Sequence, residues 1–158
     1  MTRPTFPDRQ ACRAATLFIA RTLTNPTPTR VSAALYLAES GHLELYGRLM
    51  FGGVYHALPE GPMCEEVAAF LSAHDSQGPG KSDPAELDIS VIRALNATLH
   101  VCRILPEPAL IATVQDVPWA TALSEGGPIT AERIAVTLPN AAEVLAYLAD
   151  PDPDKPEF

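Results

Sequence analysis

A mainly helical fold, a compact bundle with one small β-hairpin inserted into it, is what this 158-residue chain predicts. Three observations carry that expectation. Apolar residues recur at the 3.6-residue helical period through most of the chain. Several segments open with a capping residue followed by proline. The stretch Ala34 to Pro62 gathers five of the nine glycines, three of the four tyrosines and two of the four histidines, where a hairpin is expected. The length suits one domain with its own core. Residues 8–150 are expected to form it, between a flexible proline-punctuated arm, 1–7, and a disordered acidic tail, 151–158.

From Asp8 to Leu23 the chain is apolar around much of a helix, with Ala11, Ala15 and Phe18 on one face and Cys12, Ile19 and Leu23 on another, so this helix should be central. Pro26 and Pro28 break it. Thr27 then caps, and Pro28 starts, an organising helix whose stripe is Val31, Ala34, Leu35, Ala38 and Leu45. Gly47 stops that helix. The hairpin is expected over Leu49 to Leu58, around Gly52-Gly53, and Gly61-Pro62 is expected to open the next helix, 62–74, with Glu65 and Glu66 in its first turn and Met63, Val67, Phe70 and Leu71 facing the core.

Asp75 to Ser82 has the composition of a solvated loop. Its GPGKS run lacks the two glycines flanking four residues that a phosphate loop needs, and a proline removes one amide donor. Asp83, Pro84 and Glu86 form a helix-start signature for a long helix carrying Leu87, Val91, Leu95, Leu99 and Cys102. Prolines 106, 108 and 118 limit the following region to a short helix, Ala109 to Gln115, and a turn bearing Trp119. Thr130 to Leu138 reads as a short helix, and Asn140 with Glu143 caps a last one that buries Val144, Leu145 and Leu148.

The net charge of −8 argues against nucleic acid as the main partner, because that affinity rests on Lys and Arg neutralising phosphates; a basic partner protein fits better. The chain shows neither a charged-then-apolar leader nor an apolar run of membrane length, so a cytoplasmic protein with no membrane partner is expected. Cys12, Cys64 and Cys102 are odd in number and set in apolar runs, as buried thiols are. His42, His56, His74 and Cys64 offer no close pair at ligand spacing on one helix face, so no metal and no cofactor is expected.

The residues Leu35-Tyr36-Leu37-Ala38, His42-Leu43, Tyr46-Gly47-Arg48, Gly52-Gly53, Tyr55-His56-Ala57 and Gly61-Pro62, in that order, resemble the signature of the Panacea, or SocA-like, antitoxin domain. Val117-Pro118-Trp119-Ala120 and Pro128-Ile129-Thr130 extend the resemblance more loosely, to roughly residues 15–138. Two departures stand out: Ala33-Ala34 occupies a place where a lysine is expected, and the segment from Leu99 to Trp119 is richer in proline. The resemblance implies a non-enzymatic antitoxin that binds and neutralises a cognate toxin protein and, in one kind, hands it to a cytoplasmic protease.

Glu39, His42 and Tyr46 share a strip of the organising helix, and Arg48 and Tyr55 can close over it from the hairpin, so these five are the candidate partner-binding residues. Their other role would be to satisfy one another and brace the hairpin. Two further function classes stay open: a phage-associated interaction module without a toxin partner, and an acid-base enzyme using His42.

Overall fold

The computed structural model describes residues 9–23, 26–51, 54–75 and 87–149. They form a mainly helical domain with a small antiparallel sheet. The expected arm, tail, glycine-rich loop and the start signature at Asp83, Pro84 and Glu86 lie outside these residues.

Helix α1, Arg9–Thr22, and helix α2, Pro28–Tyr46, pack against each other in the centre. Thr27 caps α2 by accepting from the Arg30 amide, and Gly47 ends it in the left-handed region at φ 70°, its amide donating to Leu43 O. A residue with a Cβ is strained there, which is why glycine stands at this point. Leu45 leaves the expected core stripe: it is 59% exposed, while His42 and Leu43 in the same turn are buried, so the last turn of α2 is covered on the side away from Leu45.

The hairpin lies further along the chain than expected. Strand β1, Tyr55–Leu58, pairs with β2, Gly61–Cys64, across a turn at Pro59-Glu60. Gly61 sits at φ 141° and pairs with Leu58, so Gly61-Pro62 closes the hairpin instead of opening a helix. Proline is tolerated in β2 because this is an edge strand of the sheet. Helix α3, Glu65–Asp75, begins only after it. A third strand, β3, Pro128–Ile129, pairs with β1 from the other side, giving the order β2-β1-β3.

Helix α4, Ile89–Ile104, starts after Asp88, whose carboxylate accepts from the Ser90 amide at 2.8 Å. It buries Val91, Leu95, Leu99 and Cys102 against α1 and α2. Helix α5, Glu107–Val114, is followed not by a turn but by a helix, α6, Val117–Glu125. Asp116 caps α6 by accepting from the Trp119 amide at 3.0 Å, with Pro118 in the first turn. Helix α7, Ala131–Ala135, is capped by Thr130, as the sequence indicates. Asn140 does not cap helix α8, Ala141–Ala149, through its side chain; its Nδ2 donates instead to Glu44 O on α2 at 2.8 Å. All three cysteines are buried free thiols.

One contact fixes α6 against the centre. The Tyr36 hydroxyl, on α2, donates to both carboxylate oxygens of Asp116 at 3.0 Å. Burial, and then the neighbouring Asp116 charge, push the Tyr36 hydroxyl above its ordinary range, so it stays a donor. Substituting Asp116→Ala removes a helix cap and strands a buried hydroxyl, and should lower stability by about 2–4 kcal/mol. Tyr36→Phe should cost about 1–3 kcal/mol. Urea titration of both single variants and the double variant should show a double variant less damaged than the sum; strict additivity would mean the two groups do not act together.

Candidate functional site

Helix α2 is buried along most of its length, including the polar side chains Ser32, Glu39 and His42. A buried polar group without a partner costs about 1–3 kcal/mol, so each must be met by another part of the chain. The segments meeting them define the site.

Ser32 Oγ receives the Cys64 amide at 3.4 Å and lies 3.2 Å from Met63 Sδ, tying β2 to α2. Tyr36 holds Asp116, as above. Glu39, with 0% exposure, accepts from the Met50 amide through Oε2 at 2.8 Å. Its other oxygen, Oε1, is buried without a hydrogen-bond partner. Burial pushes this carboxyl from 4.5 up to about 7, opposed by the amides of Met50 and Phe51.

His42, 1% exposed, uses both ring nitrogens. Nδ1 lies 2.7 Å from Arg48 O and Nε2 lies 2.9 Å from Ser90 Oγ on α4. A carbonyl only accepts, so Nδ1 carries the proton, and in the neutral ring Nε2 accepts from the Ser90 hydroxyl. Asp88, two positions before Ser90, is held below the usual carboxylate range, first of all by the Ser90 amide that it accepts.

Of the five candidate residues, Glu39, His42 and Tyr55 are buried, while Tyr46 and Arg48 are half-buried. The structure brings the group together: the His42 and Tyr46 rings are 4.6 Å apart, and the Arg48 guanidinium lies 5.8 Å from the Tyr46 ring. Tyr55 stacks edge-on against Tyr36 at 5.5 Å, and its hydroxyl is buried without a hydrogen-bond partner. Burial raises that hydroxyl well above its ordinary value, and the Glu39 charge adds to the effect. The part of the site open to another molecule is therefore Tyr46, Arg48 and the backbone that Glu39 and His42 hold in place.

Sequence reasoning did not pick out Ser32, Ser90 or Asp116, and it read Asn140 as a helix cap and not as the residue that ties α8 to α2. Asp116 had a signal, an acidic residue two before a proline, which is a helix-start pattern. The contacts of Ser32, Ser90 and Asn140 had none, because their partners lie 32, 48 and 96 positions away. Among the described residues, no group of three or more His, Cys, Asp or Glu is placed to hold a metal, and no helix is long and apolar enough to cross a membrane. Compared with protein-family models, curated proteins and solved structures, the chain finds no match.

Two outcomes follow. The folded state keeps the Glu39 proton up to about pH 7, whereas the unfolded chain releases it near 4.5, so its stabilising share is full below pH 4.5 and fades as pH rises towards 7. In urea titrations the stability of Glu39→Gln relative to wild type should therefore rise between pH 5 and pH 8, by roughly 2–4 kcal/mol; a difference independent of pH would place the titration elsewhere. His42→Ala strands both Ser90 Oγ and Arg48 O, and should cost about 3 kcal/mol and speed amide exchange at residues 48–51. Unchanged exchange there would show that His42 does not hold the segment.

Proposed function

We infer that this chain is an antitoxin-type protein, which binds a cognate toxin protein and neutralises it by direct contact, in one form delivering it to a cytoplasmic protease. What supports this reading is where the motif residues lie. Leu35 to Ala38, His42-Leu43 and Tyr46 to Arg48 run along α2 and its exit, and Tyr55 to Ala57 with Gly61-Pro62 make up most of the hairpin packed beside it. The residues that carry the resemblance to Panacea domains thus lie on α2, its exit and the hairpin beside it, with Leu35, Tyr36, Ala38, His42, Leu43 and Tyr55 buried and Tyr46 and Arg48 reaching the surface. Such an arrangement presents an ordered surface, and a partner that meets a preordered surface loses less conformational freedom on binding.

Charge favours a basic partner. The chain carries −8, so electrostatic attraction would raise the association rate and discriminate among partners. The acid-base reading is weakened by His42, whose two ring nitrogens are committed to Arg48 O and Ser90 Oγ inside the fold.

The experiment is genetic and biochemical together. The reading frame beside this protein's own is expressed alone and with it; growth should stop in the first case and resume in the second, and the two purified proteins should form a stable complex. Growth arrest that this protein fails to relieve would overturn the antitoxin reading. A stable complex with a harmless neighbour would instead favour the interaction module.

A further inference from the structure

Where the end of α1, the first turn of α2 and the last turn of α4 meet, they border a cleft of about 270 Å³. Pockets for drug-sized ligands run from roughly 300 to 1,000 Å³, so an occupant here is small. Leu23, Leu99 and Leu105 give the cleft apolar walls. Arg30, half-buried on α2, and Arg103, exposed on α4, line it as well. Among the described residues, no carboxylate does.

That leaves a positive site in a chain of net charge −8. Arg30 lies in the first turn of α2, a 19-residue helix with no acidic residue in that turn. A helix start carries about half a positive charge, so a cation placed there is opposed by its own helix. Arg103, in the last turn of α4, is favoured by its helix. The ends of α1 and α4 add about half a negative charge each, and with the start of α2 the three helix ends together cancel only about half of one guanidinium's charge. The rest of the lining supplies no anion. Burial holds the Cys102 thiol above its ordinary range, against the pull of the Arg30 guanidinium, so the thiol stays neutral. Thr22 commits its hydroxyl proton to Phe18 O at 3.0 Å. Arg30 also has an interaction within the fold, and the five N–H donors of a guanidinium leave others for a ligand.

The same lining chooses among anions. A planar guanidinium fork pairs with carboxylate or phosphate through two parallel hydrogen bonds. Leucines beside the arginines cannot replace the water around a phosphate dianion, and removing that water is costly. A carboxylate on a short carbon chain loses less, and its chain gains about 25 cal/mol for each Å² it buries.

We propose that this cleft binds a small aliphatic carboxylate, its oxygens on the Arg30 and Arg103 guanidiniums and its carbon chain against Leu23, Leu99 and Leu105. The site is separate from the residues assigned to partner binding and does not rest on that reading.

The full chain is titrated with butyrate, with n-butylamine and with inorganic phosphate at constant ionic strength, while heteronuclear NMR follows the Arg30 and Arg103 Nε–H signals. Butyrate should shift both with saturation. Butylamine, a similar chain with the opposite charge, should not, and phosphate should bind more weakly than butyrate. Arg103→Gln removes one guanidinium from an exposed position and should weaken butyrate binding about tenfold or more, as the loss of a charge-assisted hydrogen bond does. Arg30→Lys keeps the charge and loses the planar fork, and should also bind less tightly. Arg93→Gln, at an exposed position of α4 outside the cleft, removes the same charge and should bind as wild type does. The proposal is overturned by the absence of a saturable shift, by tighter binding of phosphate, by a matching shift with butylamine, or by either cleft variant binding as tightly as wild type. A loss in Arg93→Gln equal to that in Arg103→Gln overturns it too, because the effect would then belong to net charge and not to the cleft.

Discussion

The structure depends on the near-complete burial of α2. A helix covered on most sides cannot leave its polar side chains to water, so four of its buried or half-shielded polar side chains become attachment points for other parts of the chain. Ser32, Tyr36, Glu39 and His42 follow one another down the helix at steps of four, three and three. They meet, in turn, the β2 strand, the cap of α6, the segment after α2, and the start of α4. Glu44 adds a fifth tie through its carbonyl to Asn140. The apolar residues of α2 drive collapse. The polar ones decide which segment ends up against which turn.

That arrangement separates buried support from the outer surface. The buried members of the motif, Glu39, His42 and Tyr55, shape the surface without forming it. Glu39 shows the cost of that role: one oxygen holds the Met50 amide while the other has no partner, and burial raises the carboxyl towards neutrality. Protonation relieves the buried charge without breaking the bond through Oε2. The groups of this cluster that reach the outer edge are Tyr46 and Arg48.

Most helices were legible because their signals are local. Thr27 before Pro28, Gly47 after Tyr46, and Thr130 before Ala131 act within a few residues, and each does in the structure what its chemistry indicates. The misreadings came where one local signal serves two structures. Proline after glycine at 61–62 suits a helix start and also an edge strand closing a hairpin, and only pairing with Leu58 and Ala57 selects the second. Pro118 looked like a break, yet Asp116 ahead of it makes it the first turn of a helix. Leu45 followed the core period, but the turn it occupies buries His42 and Leu43 and leaves Leu45 on the open side. The candidate site was legible as a group of residues and not as a set of contacts.

By itself, then, the sequence determined a mainly helical chain, its central helix and that helix's ends, its acidic character, and a cluster of motif residues around one hairpin. These follow from side-chain period, backbone freedom at glycine and proline, and charge, all properties of neighbours along the chain. Tertiary structure alone decided that β3 would add to the hairpin, that Ser90 and Asp116 would answer His42 and Tyr36, and that Arg30 and Arg103 would line one cleft. Those outcomes join residues tens of positions apart. They depend on which polar groups are shut away from water together, and that is settled only when the whole chain packs.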